Sequence, residues 1–208
     1  MKKQTHLPVR PKIFVDLDGV LVDWAGATLQ LGGLDPNDPE LQATLTATNG
    51  DVDALLGGSD RVHQLIDRQG ARFWEHLRMF PWARPLMDAL LKDFSGEMGH
   101  VAFLTKPGRF LGAFEGKRRW QHNNFPDVPL ILCADKFLCA SPTSLLIDDV
   151  DYQVDPFRHY GGDAILWPSQ YTLEPGPAST LTVEARNRLW QKAVTDTVLQ
   201  IHQSSIWS

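Results

Sequence analysis

Apolar residues recur along this chain with two different periods, and the alternation between them predicts the architecture. Ile13-Phe14-Val15 is an unbroken apolar run that reads as a strand buried on both faces, because a strand with one wet face would alternate apolar with polar. Short runs of the same kind recur at His100–Leu104, Val128–Cys133, Ser144–Ile147 and Ala164–Trp167. Between them the spacing is helical: Asp23–Leu34, Arg84–Phe94, Phe110–Asn123, Asp151–Tyr160 and a long amphipathic stretch, Thr182–Gln203. From Glu40 to Phe80 nothing resembles a buried strand. The pieces Leu41–Thr48, Val52–Leu56 and Ser59–Leu77 are helical, separated by Asn49-Gly50 and Gly57-Gly58, and Asp35–Pro39 is turn chemistry that can cap the next helix. Met1–Pro11 reads as a loose arm and Gln170–Ser179 as a loop. Strands alternating with helices predict an α/β, Rossmann-like parallel sheet of five strands with helices on both faces. Residues 1–25 and 81–208 would form this core, and 26–80 a small helical cap inserted after the first strand.

Composition narrows the class without naming a chemistry. Of 208 residues, 43% are hydrophobic and 22% charged, as in ordinary globular proteins with a real core. A net charge of −5 argues against general nucleic-acid binding, which rests on Lys/Arg–phosphate contacts. The apolar runs are too short to cross a bilayer, no signal-peptide core follows Met1-Lys2-Lys3, and Cys133 and Cys139 make neither a disulfide framework nor a four-ligand zinc site. The expectation is a cytoplasmic protein with reduced thiols and no membrane partner; a homodimer is compatible with this composition.

Chemistry enters at the strand ends. Asp16 and Asp18 close the first run, and strand alternation puts them on one side. Adjacent carboxylates repel and resist desolvation, so the pair invites a cation, and Gly19 lets the backbone turn towards a ligand. An oxygen-rich site suits a hard ion such as Mg²⁺. The other strands end in Thr105-Lys106, Asp135-Lys136 and Asp148-Asp149. In an open α/β sheet these ends share one edge, where ligands bind. Taken singly, Thr105 also reads as a loop hydroxyl, Lys136 as a solvated charge and Asp148-Asp149 as a helix cap. Together, carboxylates, a hydroxyl and ammonium groups meet the needs of phosphoryl transfer, which are positioning and charge neutralisation.

Asp16-Leu17-Asp18-Gly19-Val20-Leu21, Phe103-Leu104-Thr105, Lys136 and Leu146-Ile147-Asp148-Asp149 resemble the four motifs of the haloacid dehalogenase (HAD) superfamily of phosphohydrolases. Within it the chain is most similar to the 5'(3')-deoxyribonucleotidases. Phe73-Trp74-Glu75-His76-Leu77 with Pro81 and Ala83 resembles that family's segment closing the cap, and Glu115–Trp120 its helix after the second motif. The resemblance spans most of Ile13 to Asp151 and implies the HAD-type fold. It further implies Asp16 as nucleophile and Asp18 as the acid that protonates the leaving alkoxide and then activates water. Mg²⁺ would be held by Asp16, the main-chain carbonyl of Asp18 and Asp148, with Asp149 orienting its water ligands. Thr105 would donate to a phosphate oxygen, Lys136 would offset the charge around Asp16, and Lys117 would support the phosphate or lie on a solvated helix face. Trp24 matches the family's aromatic against the base, and Phe73 and Trp74 are further stacking candidates; for all three the alternative is cap–core packing. The chain departs from the family at Lys106, where the nucleotidases carry a small hydroxyl residue, although an added cation still favours phosphate.

The expected activity is therefore Mg²⁺-dependent hydrolysis of (deoxy)nucleoside monophosphates through an aspartyl-phosphate, the substrate being a small-molecule phosphomonoester. Neighbouring alternatives keep the chemistry on a sugar phosphate or a nucleic-acid end, and a more distant one is a non-catalytic binding protein. Dehalogenation is disfavoured because that chemistry has no use for a second acid at Asp18.

Overall fold

The computed structural model describes residues 10–48, 50–96, 98–169 and 182–207. The arm over residues 1–9 and the loop expected at Gln170–Ser179 lie outside them. The sheet is parallel, five-stranded and ordered β3-β2-β1-β4-β5, with β1 Lys12–Val15, β2 His100–Thr105, β3 Leu130–Leu132, β4 Ser144–Asp148 and β5 Asp163–Leu166. This is the α/β, Rossmann-like architecture the alternation predicts. β1 is central, and its unbroken apolar run is explained by burial on both faces. Ile13 and Val15 join one core cluster, whereas Phe14 joins a second with Ala102, Leu104, Leu146 and Phe157. β3 is shorter than its apolar run because it is an edge strand pairing only with β2.

Between β1 and β2 the described residues form helices α1 Trp24–Leu31, α2 Pro39–Ala47, α3 Val52–Leu56, α4 Ser59–Gln69, α5 Ala71–Glu75 and α6 Ala83–Phe94. Asp23, Asp38 and Asp51 cap the first three by accepting main-chain N–H bonds, and Pro39 occupies the first turn of α2, where its missing N–H costs nothing. The single helix expected over Ser59–Leu77 is broken at Gly70, whose φ of 58° and ψ of −141° only glycine adopts readily. The remaining helices are α7 Leu111–Asn124, α8 Asp151–His159 and α9 Val183–Gln203. α6, α7 and α9 contribute to the Ile13–Val15 face, and α8 covers the Phe14 face. None of the described helices is long and apolar enough to cross a membrane.

Two features hold the β1 end in place. The chain returning to α6 pairs with the turn after β1: the Phe80 N–H donates to Leu21 O, Val22 bridges Met79, and the Trp82 indole donates to Val20 O at 2.7 Å. Separately, α5 lies directly against α7 because Gly112 and Gly116 present no side chain there. A Cβ on Gly116 would stand 2.3 Å from Ala71 O and 2.6 Å from Trp74 Cβ. Gly116→Ala is therefore expected to destabilise the protein by about 1–3 kcal/mol through overpacking, lowering the midpoint of thermal unfolding by about 2–4 °C per kcal/mol. Circular dichroism melts would check this; an unchanged midpoint would mean that the helices separate at little cost.

Candidate active site

Parallel register brings the strand ends level. β1 pairs with β2 on one side and β4 on the other, Val15 standing beside Phe103 and Ile147. Asp16 thus emerges beside Asp148, with Thr105 one strand away. All three are buried, Thr105 and Asp148 completely. Such crowding of carboxylates needs a counter-charge, and Lys136 supplies it from the 3-10 turn Lys136–Cys139 that follows β3. Its Nζ lies 2.7 Å from Asp16 Oδ1 and 2.6 Å from Asp148 Oδ2, while the Val150 N–H donates to Asp148 Oδ1. Burial alone would lower the lysine's pKa, but these two carboxylates outweigh it and hold the ammonium above its ordinary range. Lys136 is only 1% exposed, so the solvated reading of this residue is ruled out.

Asp149 completes the acidic group. Single carboxylate oxygens of Asp16, Asp148 and Asp149 lie within 4.8 Å of one another, a spacing and an all-oxygen set that fit one hard divalent cation. Gly19, at φ +80°, makes room for Asp149: a Cβ there would sit 1.9 Å from Asp149 Oδ2. Burial, then the neighbouring Asp16, push Asp148 up to about 7 against the pull of Lys136. Burial, Asp16 and Asp148 together raise Asp149 well above its usual value. In both cases the protein alone leaves negative charge under-compensated, which is the condition a bound cation relieves.

Asp18 is held by a different lysine. Lys117, 2% exposed on α7, donates from Nζ to Asp18 Oδ2 at 2.5 Å, to Thr105 Oγ1 at 3.0 Å and to the Lys106 carbonyl at 2.8 Å. All three ammonium protons are thereby engaged. The same Nζ sits 4.6 Å from the centre of the Trp74 ring, a cation–π contact with α5. Of the two alternatives for Lys117, the solvated helix face does not occur. Burial and the Asp16 charge raise the Asp18 carboxyl above its ordinary value although Lys117 opposes them.

A cavity of about 590 Å³ opens over these groups. Asp16, Asp18, Asp149, Lys106, Lys117 and Lys136 reach it, as do Trp24, Ile66, Trp74 and Phe80, which make one wall apolar. Phe73 does not line it; its ring packs edge-on against Trp74, centroids 5.1 Å apart, within the core, which is the packing alternative for this residue. Sequence reasoning missed His63, Arg109, Tyr152 and Gln153, which also line the cavity. Tyr152 and Gln153 lie within one turn of Asp149 and Arg109 four residues beyond Thr105, so proximity to a strand end was the available signal. His63, on α4, had none; burial, then Arg109, lower its pKa. Arg109 is paired at 2.8 Å with the exposed Asp60.

No protein-family model matches the chain, and no curated protein matches its sequence. Among solved structures it is similar to a hydrolase from Streptococcus pneumoniae TIGR4, at 18% identity over 79% of this chain and 96% of that one, with a TM-score of 0.46. It is also similar to a HAD family hydrolase from Deinococcus radiodurans R1 with bound phosphate and sodium, at 17% identity over 86% and 88% of the two chains, TM-score 0.47. A third is an L-2-haloacid dehalogenase from Xanthobacter autotrophicus, at 13% identity over 86% of each chain, TM-score 0.46. Likenesses this loose carry no argument about the site.

The difference in burial between the charge pairs has a measurable consequence. Lys136→Met, which strands Asp16 and Asp148, is expected to cost about 3–5 kcal/mol in chemical denaturation. Arg109→Ala, which removes only the exposed pair with Asp60, is expected to cost less than about 1 kcal/mol. Equal costs would contradict the assignment of Lys136 as the structural counter-charge.

Proposed function

We propose that this chain is a Mg²⁺-dependent phosphomonoesterase of the haloacid dehalogenase superfamily that hydrolyses (deoxy)nucleoside monophosphates. The supporting observation is the cluster of Asp16, Asp148 and Asp149 oxygens within 4.8 Å of one another, two of its acids bridged by the buried Lys136, beside a cavity that Asp16, Asp149 and Lys136 line. The carboxylates of Asp16, Asp148 and Asp149 and the main-chain carbonyl of Asp18 would hold the ion. When bound, Mg²⁺ supplies neutralisation of phosphoryl charge, so that an anionic nucleophile can approach an anionic ester.

The protein's own residues divide the remaining work. A carboxylate oxygen of Asp16 attacks phosphorus, and the bond from phosphorus to the leaving oxygen breaks, forming an aspartyl-phosphate. Asp18, whose carboxyl burial holds above its ordinary pKa while Lys117 opposes the rise, gives its proton to the departing alkoxide. As a carboxylate it then takes a proton from the water that attacks the aspartyl-phosphate, which releases inorganic phosphate and restores Asp16. Lys117 fixes the Asp18 carboxyl during both transfers. The Thr105 oxygen accepts from Lys117, which leaves its own proton available to a phosphoryl oxygen, and Lys106 adds positive charge at the mouth. Trp24 offers a surface for a base, Trp74 lining the cavity with its ring against Lys117, and residues 26–80 act as the cap over it.

The test is phosphate release from a panel of monophosphates, deoxy and ribo, 5' and 3', with and without Mg²⁺. Asp16→Asn is expected to lower kcat by on the order of 10³-fold or more. Metal-dependent turnover surviving in Asp16→Asn would remove the proposed nucleophile. Trp24→Ala is expected to reduce kcat/KM for nucleotides about 5- to 100-fold more than for methyl phosphate, the range that loss of one base–aromatic stack implies. Equal losses on both substrates would transfer the reading to a phosphomonoester without a base.

A further inference from the structure

We infer that Tyr152 is a positioning residue that holds Lys106 over the end of β1, so that the ammonium stands ready for the substrate's phosphoryl group. The inference rests on the phosphatase reading above and adds a residue to it.

Lys106 follows β2 and Tyr152 lies in the first turn of α8, which follows β4. β2 and β4 are the two neighbours of β1 and do not touch each other. Adjacent strands stand about 4.8 Å apart, so these two are separated by about 10 Å. Lys106 Nζ nevertheless lies 4.8 Å from the centre of the Tyr152 ring. The two side chains therefore reach towards each other across the mouth of the strand end that carries Asp16 and Asp18, and both line the cavity.

The contact differs in kind from those of the other two lysines. Lys117 and Lys136 are buried and bound to carboxylates, whereas among the described residues no carboxylate pairs with Lys106. Its ammonium meets a ring face, an attraction weak enough to yield to a phosphoryl dianion yet sufficient to restrict a long, mobile side chain beforehand. Restricting a group in its working position lowers the ordering cost of binding. Tyr152 is 61% exposed and supports no core packing, so it can be replaced without unfolding the protein.

The experiment compares wild type, Tyr152→Leu, Tyr152→Phe, Lys106→Ala and the Lys106→Ala/Tyr152→Leu double variant. KM and kcat are measured on a monophosphate, and the Kd for inorganic phosphate is measured calorimetrically with Mg²⁺ present. Tyr152→Leu is expected to raise KM and Kd about 2- to 5-fold, the worth of one exposed cation–π contact, with kcat little changed. Tyr152→Phe keeps the ring and is expected to restore wild-type binding. In the Lys106→Ala background Tyr152→Leu is expected to add nothing. A Tyr152→Leu effect that persists without Lys106, a Tyr152→Phe variant as weak as Tyr152→Leu, or no change in phosphate affinity would each overturn the inference. Because phosphate affinity is read without turnover, a chain that hydrolysed no monophosphate yet showed the expected pattern would lose the catalytic reading and keep this one.

Discussion

One buried ammonium allows the acidic edge of the sheet to exist. β1 and β4 pair in parallel register, which forces the residues that follow Val15 and Ile147 into proximity, and both are aspartates. Two desolvated carboxylates at neighbouring strand ends would drive the strands apart or force one acid to stay protonated. Lys136, inserted between them, converts that repulsion into a bridge. Buried ion pairs seldom add net stability over an apolar alternative, because desolvation offsets much of the attraction. The arrangement is better understood as ordering a geometry: it places three oxygens and a cation where the backbone alone would not keep them.

The two acids of the first strand end are separated by their lysines as much as by their positions. Asp16 shares its cation with Asp148 and is tied to the sheet, whereas Asp18 is tied through Lys117 to α7. One cation is thus committed to the sheet edge and the other to α7. Burial raises the pKa of Asp18 while Lys117 restrains the rise, a balance that suits the proton transfers proposed for it. The net charge of −5 gives no hint of this, since Lys117 and Lys136 are two buried, local cations.

What could be read from residues alone followed from strong local signals. Ile13-Phe14-Val15 announces a doubly buried strand, and the polar residues after each apolar run fall on one edge once the strands are parallel. Asp16, Thr105, Lys136 and Asp148 were therefore legible as a group before any coordinates. Lys117 was not decidable, because a lysine in the middle of a polar helix reads as solvated unless the packing of that helix is known. Its burial depends on α5, and α5 exists as a separate helix only because Gly70 takes a conformation that helical spacing does not reveal. Phe73 and Trp74 illustrate the same limit. They are adjacent and both aromatic, yet helix geometry sends one to the cavity and the other into the core.

The glycines at positions 112 and 116 have a consequence for how this molecule can change. They make a smooth seam along α7 against which α5 rests, and Trp74 reaches Lys117 across that seam. The helices between β1 and α6 therefore do more than roof the cavity, because one of them presses on the lysine that holds Asp18. They cannot be exchanged as a cassette without disturbing the Lys117–Asp18 pair. A graft from another protein would have to bring a short helix with an aromatic at the same place, and a recipient lacking the small-residue seam would not accept this one. Change of ligand choice in such a fold is thereby steered towards α1 and α4, which border the cavity at Trp24, His63 and Ile66.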